Sequence, residues 1–216
     1  MIWRPERIWR GEDCYIIGGG PSLGSFDWDL LRGRHTIGCN GAFSLGADVV
    51  EIVLFSDTKF WEVHQDGLGK YHDQGGIVVA MNNHYLGTDH PWLRVMRRKP
   101  RGLGEGDVLA MNSSTGAGAI NLALTLGCHR IFLLGFDMEQ EEGRNNWHDL
   151  SVFNTVASKY DEFRGGMARL ASLVKEKHPD RMVVNLNRGG RLKAFPQMTV
   201  EDHFGLPTEP RSANHD

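Results

Sequence analysis

The amino-acid sequence is organised around residues 14–23, which read Cys14-Tyr15-Ile16-Ile17-Gly18-Gly19-Gly20-Pro21-Ser22-Leu23. A continuous apolar run of this kind is typical of a parallel strand buried on both faces. The glycines let backbone N–H groups approach a ligand closely. Residues 25–33 predict a short helix with Ser25 as its N-cap. Because a helix N-terminus suits phosphate, we expect a nucleotide-phosphate loop at the carboxyl end of the first strand.

The glycine loop matches neither of two common phosphate-binding motifs. No Gly-Lys-Ser/Thr follows it, so it is not a Walker A sequence, and Pro21 and Ser22 interrupt the GxGxxG pattern. An ordinary tight turn is therefore the alternative to nucleotide binding. The candidate nucleotide-binding residues of this loop are Gly18, Gly19, Gly20, Pro21 and Ser22.

Length and composition indicate one soluble globular domain. The chain has 216 residues, of which 40% are hydrophobic and 24% charged, as is ordinary for such proteins. The net charge of -3 gives no general attraction to nucleic acid or anionic membranes. Cys14, Cys39 and Cys128 form no CxxC pair, which predicts core residues in a reducing cytosol rather than disulfides or a zinc site.

No apolar run reaches transmembrane length, and the first residues do not resemble a signal peptide. We therefore expect no membrane span, a cytoplasmic location and no nucleic-acid partner. The sequence leaves the oligomeric state open, a homo-oligomer included.

Apolar segments alternate with helical patterns along the chain. Strands are expected at 14–18, 35–40, 52–55, 76–81, 130–135 and 182–187. Helices are expected at 58–66, from the stretch 112–119 to about residue 126, and at 160–177. This alternation predicts an α/β fold, with a single Rossmann-like domain, a mostly parallel sheet and helices on both faces. The domain is expected over residues 1–205, with a lid-like insertion near 84–110 and a flexible tail at 206–216.

Polar residues follow several of the expected strands, where they tend to face the ligand crevice. Asn40 is a candidate for binding a ribose or base, with a turn asparagine as the alternative. Asp57 and Asp137 also follow strands, and Asp57 either binds a ligand or caps the next helix. The run Ser113-Ser114-Thr115-Gly116 opens a helix and offers hydroxyl and N–H donors to a ligand, or simply an N-cap.

Two irregular segments complete the candidate site. The insertion carries Arg94, Arg97, Arg98, Lys99 and Arg101, which form either a lid that meets an anionic substrate or a solvated loop. The polar segment 138–157 is long for a loop in a compact domain, and such loops are usually functional or disordered. Read without any relative, its His148 is a surface-loop histidine.

Taken in order, these motifs resemble the bacterial sialyltransferases of the Campylobacter type. They also resemble the broader set of Rossmann-like domains in motility accessory factors and archaeal hydroxymethylpterin pyrophosphokinases. The resemblance covers roughly residues 14–197. The residues that carry it are Gly18–Leu23, Asn40, Ser113–Gly116, Leu133–Asp137, Asn187 and Phe195-Pro196.

The sialyltransferase resemblance implies metal-independent transfer of a sugar, with inversion, from a CMP-activated or other nucleotide-activated donor to an unknown acceptor hydroxyl, without a cofactor. It implies that the loop 19–22 and Asn40 hold the nucleotide, and that residues 113–115 meet the nucleotide or the donor sugar. Asp137 would lie at the floor of the site. His148 would be the general base, a role that suits a side chain with a pKa near neutrality.

The sequence departs from that family in one respect that bears on catalysis. The sialyltransferases use paired tyrosines to take the leaving phosphate, whereas here only Tyr160 follows the loop. Arg144 is a substitute candidate, because a guanidinium pairs with two phosphate oxygens. Two alternatives remain: an ATP- and magnesium-dependent pyrophosphokinase-like enzyme using Asp57 and Asp137, and a catalytically inactive nucleotide-binding module.

Overall fold

The computed structural model describes residues 2–152 and 155–207, so the expected tail lies outside the described residues from 208 onward. These residues form eight strands and four α-helices. The strands are β1 (Asp13–Ile17), β2 (Thr36–Cys39), β3 (Ile52–Phe55), β4 (Ile77–Met81), β5 (Arg94–Lys99), β6 (Val108–Ala110), β7 (Arg130–Leu134) and β8 (Met182–Asn185). The helices are α1 (Thr58–Asp73), α2 (Thr115–Leu126), α3 (Ala157–Lys177) and α4 (Val200–Phe204).

The strands form one sheet in the order β6-β5-β4-β3-β2-β1-β7-β8, and each neighbouring pair is parallel. From β1 the chain builds outward to β6, then returns to place β7 on the other side of β1. The connections after β1 and β7 therefore leave in opposite directions, which opens a crevice at the carboxyl ends of these strands. The predicted α/β fold class is confirmed.

Both faces of the sheet are buried, as the predicted helices on both faces require. Because side chains alternate along a strand, Cys14 and Ile16 of β1 join the core under α2 and α3, whereas Tyr15 and Ile17 join the core under α1 and α4. This double burial explains why the strands are continuous apolar runs in the sequence.

Helix α2 is the most buried helix, and its sequence gives it two clear ends. The Ser114 side chain caps it by accepting a hydrogen bond from the Ala117 N–H at 3.2 Å, and Gly127 ends it in the left-handed conformation with φ of 98°. Within the helix, the fully buried Asn121 holds the edge of the sheet. Its Oδ1 accepts from the N–H groups of Gly104 and Ala110, and its Nδ2 donates to the Gly104 carbonyl.

The segment after the glycine loop differs from the prediction. No α-helix forms over 25–33; two short 3₁₀ turns occupy Pro21–Leu23 and Trp28–Leu31, and Asp27 rather than Ser25 caps the second by accepting from the Asp29 N–H. Buried Leu23 and Leu31 anchor the turns instead.

The insertion near 84–110 also differs from the prediction, because it contains two further strands of the sheet, β5 and β6. The charges on β5 hid this from the sequence pattern. Next to the edge strand β6 these charged side chains face solvent or pair locally, as Arg97 does with Asp107 through two hydrogen bonds of 2.7 and 3.1 Å.

Replacing Asn121 by leucine is expected to loosen the edge of the sheet. The change leaves two backbone N–H groups and one carbonyl without their buried partner, which costs roughly 2–5 kcal/mol in the free energy of unfolding. Urea denaturation measures this. Thr125→Val on the same helix is the control: its hydroxyl donates to the Asn121 carbonyl, and its loss costs about 1 kcal/mol or less. Equal losses in the two variants would contradict the role of Asn121.

Candidate functional site

The side chain of Asp137 joins three loops at the crevice between β1 and β7. It is 5% exposed. Its Oδ2 accepts from the Ser22 N–H at 2.8 Å, and its Oδ1 accepts from the Ser22 hydroxyl at 2.6 Å and from Asn187 Nδ2 at 2.5 Å. Asp137 therefore fixes the glycine loop and the loop after β8. Both oxygens already have protein partners.

Most N–H donors of the glycine loop form hydrogen bonds within the protein, which leaves few of them for a phosphate. The Gly18 and Gly20 N–H groups donate to the Leu134 and Gly135 carbonyls, each at 2.8 Å, and Ser22 gives its N–H to Asp137. A Cβ at position 20 would lie 2.5 Å from Asp137 Oδ2, so glycine is required there. Within the described residues, Gly19 is the loop residue whose N–H has no such acceptor.

A second loop closes over the first. Trp147 donates its backbone N–H to the Gly19 carbonyl at 2.9 Å and its indole Nε1–H to the Gly18 carbonyl at 3.0 Å. The indole also packs against Trp28, with the ring centroids 5.0 Å apart, and Asn146 lies against Gly19. The segment 146–152 thus forms the outer wall of a cleft whose floor is the carboxyl edge of the sheet.

The cleft has a volume of about 90 Å³. It lies at the carboxyl ends of β1, β2 and β3, and four of the predicted site residues line it: Gly19, Asn40, Asp57 and His148. The remaining lining residues are Cys39, Phe60, Asn146, Leu150, Ser151 and Val152. Asn146 and Phe60 were not singled out from the sequence, and no motif marks either of them.

Asn40 carries a buried oxygen that lacks a protein partner. The residue follows β2 in a left-handed conformation with φ of 49°, and its Oδ1 is buried without a hydrogen bond in the described part of the chain. An unpaired buried acceptor is costly and rare in native proteins. Asn185 Oδ1 is also buried without a partner within the described residues, but Asn40 differs from it in lining the cleft.

Asp57 follows β3 at the start of α1, but its carboxylate does not cap the helix. The capping role weighed from the sequence is therefore not adopted, and the side chain lines the cleft. Burial raises the pKa of Asp57 above its ordinary value, while the positive charge of Arg98 and a hydrogen bond with Ser56 act in the opposite direction. Ser56 lies 3.4 Å from the Thr115 hydroxyl, which links this wall of the cleft to α2.

His148 lies on the segment 146–152, between Trp147 and Gly41. Its ring meets Trp147 edge-on, with the centroids 4.7 Å apart, and a Cβ at Gly41 would lie only 2.4–2.9 Å from three ring atoms. Its Nδ1 accepts a hydrogen bond from the Leu150 N–H at 3.2 Å. Burial lowers the pKa of His148 below its ordinary value, which favours the neutral ring at neutral pH.

The turn that opens α2 does not line the cleft. Ser114 caps the helix, Gly116 packs under the Phe136 ring, and Thr115 faces Ser56. Ser113 has a φ of 77° and hydrogen bonds with Glu162 of α3, which lowers the pKa of that carboxylate together with the larger effect of Lys159. These four residues therefore contact the protein around the cleft and do not line the cleft itself.

Tyr160 and Arg144 lie outside the cleft. The Tyr160 hydroxyl donates to Asn145 Oδ1 at 2.8 Å, and its ring lines a separate groove together with Arg164 and Arg191. Arg144 sits on an exposed turn, 3.7 Å from Glu142. The grouping of these two residues with His148 is therefore not seen.

The described residues contain neither a metal-binding cluster nor a membrane-spanning helix. Residues 2–152 and 155–207 contain no cluster of three or more His, Cys, Asp or Glu side chains arranged to hold a metal ion. No helix in the same ranges is both long and apolar enough to cross a membrane.

Comparison with known proteins finds similarity in structure but not in sequence. No protein-family model and no curated protein matches the chain by sequence. The chain is similar to the sialyltransferase CstII from Campylobacter jejuni in complex with cytidine-5'-monophosphate, with a TM-score of 0.56 and 15% identity over 88% of this chain and 86% of that chain. It is also similar to CstII in complex with CMP-3FNeuAc, with a TM-score of 0.52 and 14% identity over 87% and 85% of the two chains.

At this level of identity the comparison shows a shared fold. The two structures support the sialyltransferase part of the resemblance, and they give no support to its motility accessory factor and pyrophosphokinase parts. The chain thus has a sialyltransferase-like α/β fold.

Truncating Asp137 to alanine is expected to release the glycine loop. Three hydrogen bonds are lost at once, which costs roughly 2–4 kcal/mol in the free energy of unfolding. Ser22→Ala is the matched control, because it removes only the hydroxyl bond and costs about 1–2 kcal/mol. Denaturant unfolding of both variants measures the difference, and equal costs would contradict the central role of the carboxylate.

His148 is expected to make stability depend on pH below about 6.5. Unfolded His148 takes up a proton near that pH, whereas the folded protein with its lowered pKa does so only at lower pH. Between the two values the unfolded state binds more protons, so the free energy of unfolding falls as the pH falls. Urea titrations at about pH 7.5 and 5.5 should show a larger loss for the wild type than for His148→Gln. A larger loss in the variant would contradict the lowered pKa.

Proposed function

We propose that the protein is a glycosyltransferase that moves a sugar from a CMP-activated, or other nucleotide-activated, donor to an acceptor hydroxyl. One observation carries the proposal. The cleft at the carboxyl ends of β1, β2 and β3 brings Gly19, the unpaired Asn40 oxygen, Asp57 and His148 together on a sialyltransferase-like fold. Such an edge is where open α/β sheets bind their ligands.

Two of the lining residues have groups suited to binding the donor nucleotide. The buried Asn40 Oδ1 accepts a hydrogen bond from the nucleoside, and the Gly19 N–H donates to the phosphate. Small-molecule sites usually measure about 300–1,000 Å³, so the cleft of about 90 Å³ must widen. Movement of the wall 146–152, which is held to the glycine loop mainly through Trp147, would provide this room.

The reaction also needs a group that removes the proton of the acceptor hydroxyl. The resemblance points to His148, and the cleft offers Asp57 as a second group able to do so. Neither role requires a bound metal, and we propose metal-independent transfer on this basis. His148 and Asp57 line the same cleft, so an acceptor that occupies it would lie close to both.

No observation favours the pyrophosphokinase alternative. Its two expected magnesium ligands are not brought into one cleft, because Asp57 lines it while the Asp137 oxygens are bonded to Ser22 and Asn187. The inactive-module alternative differs from the proposal in predicting nucleotide binding without transfer.

Nucleotide binding is tested first by thermal unfolding with CMP, CDP, UDP, GDP, ADP, ATP and CMP-sialic acid, each with EDTA and with magnesium. A ligand that binds only the folded state raises the melting temperature. At a free ligand concentration of 100 times Kd, binding adds about 2.7 kcal/mol to the free energy of unfolding. We expect CMP or CMP-sialic acid to raise the melting temperature in the presence of EDTA. A shift only with ATP and magnesium would favour the pyrophosphokinase, and no shift with any nucleotide would overturn the proposal.

Transfer itself is tested by His148→Ala with a CMP-sugar and a panel of acceptor saccharides. Loss of a group that assists proton transfer typically costs about 100- to 10,000-fold in rate. Affinity for CMP should stay close to that of the wild type, because the group acts on the acceptor in the transition state. Activity within about tenfold of the wild type would remove His148 from the reaction.

A further inference from the structure

A chain of hydrogen bonds fixes the protonation of the His148 ring. His64 on α1 lies with its Nε2 2.9 Å from the Leu150 carbonyl. A carbonyl only accepts, so this nitrogen of His64 is the donor. The Leu150 N–H in turn donates to His148 Nδ1 at 3.2 Å. His64 and Leu150 together hold His148 in one orientation.

The consequence concerns the other nitrogen of His148. A neutral imidazole carries one proton, and a nitrogen that accepts a hydrogen bond does not carry it. The proton of His148 therefore lies on Nε2, which makes that nitrogen a donor. Tight packing against Gly41 prevents the ring from turning over without a shift of the wall. In this arrangement Nε2 has no lone pair with which to accept the proton of a hydroxyl.

Asp57 meets the requirements for that task. Its carboxylate lines the same cleft, makes no capping bond to α1 and is partly removed from solvent. A carboxylate accepts protons and hydrogen bonds through both oxygens. It is also the one carboxylate among the residues that line the cleft within the described chain.

We propose that Asp57 is the base that deprotonates the acceptor hydroxyl, and that His148 orients the acceptor by donating a hydrogen bond through Nε2. The inference rests on the proposed glycosyltransferase function and assigns its proton transfer. It also makes His64 a positioning residue, because it acts on the reaction only through Leu150 and His148.

The step balances in atoms and charge. The acceptor oxygen forms a bond to the anomeric carbon of the donor sugar as the bond from that carbon to the phosphate oxygen breaks. The nucleotide leaves with the electron pair of the broken bond. The acceptor proton moves to Asp57, which then releases it to water and returns to its ionised form.

The pH dependence follows from the groups around each residue. Arg98 of β5 and Ser56 act on Asp57 and favour its ionised form, against the effect of burial. Asp149 and His64 act on His148 in opposite directions. Transfer should therefore fall on the acid side as Asp57 takes up a proton, and this limb should be absent from the residual activity of Asp57→Asn.

Kinetic measurements on three variants distinguish Asp57 from His148 as the base. Asp57→Asn should lower kcat by about 100- to 10,000-fold with CMP affinity retained. His148→Gln, whose amide Nε2 still donates, should stay within about tenfold of the wild type, whereas His148→Ala should fall well below it. Asp66→Asn, an exposed change on the same helix, is the control. Loss in His148→Gln equal to that in His148→Ala, with Asp57→Asn active, would overturn the inference.

The tautomer gives a test that needs no activity. Nitrogen-15 NMR of the histidine side chains, with the His148 signals assigned from His148→Ala, should find the proton on Nε2. His64→Phe should weaken this preference and His64→Gln should restore it. A proton on Nδ1 in the wild type would overturn the inference. If no donor is transferred, the proposed function fails, while the tautomer measurement still reports on the hydrogen-bond chain.

Discussion

The structure depends on the buried carboxylate of Asp137. Three segments that are far apart in the sequence meet at it: the glycine loop after β1, the turn after β7 and the loop after β8. Charge-assisted hydrogen bonds in a buried place are strong, and a carboxylate left there without partners is costly. Both oxygens of this side chain are therefore already used within the protein, and the polar groups that line the cleft come from the ends of β2 and β3 and from the segment 146–152.

This division separates residues that shape the site from residues that face it. Ser22, Ser114, Thr115 and Gly116 are satisfied by the protein and support the floor and the back of the cleft. Asn40, Asp57 and His148 carry the groups that remain open to a ligand. In this protein the motifs rich in small polar residues therefore support the cleft, whereas isolated polar residues that follow strands line it.

The sequence predicted the layered α/β architecture well. Strands buried on both faces consist of continuous apolar residues, and Gly127 marks a clear end of helix α2. It also singled out Asn40, Asp57 and His148, which the structure brings to one cleft; their binding of a ligand stays a prediction. It could not show that Asp137 is already paired or that Tyr160 and Arg144 lie elsewhere, since these contacts join segments that only the folded chain brings together. The charged strand β5, which pairs with β4 and with the edge strand β6, was missed because solvent dictates its charged side chains.

The order of the strands also sets when the site can form. β1 lies beside β7, and the two are joined by the ion pair between Asp13 and Arg130, 117 residues apart in the chain. Contacts of such long range form slowly, since the intervening chain must first be ordered. On the ribosome, the first strand has one unprotected edge until the second half of the chain emerges. The crevice is accordingly among the last parts of the molecule to be completed.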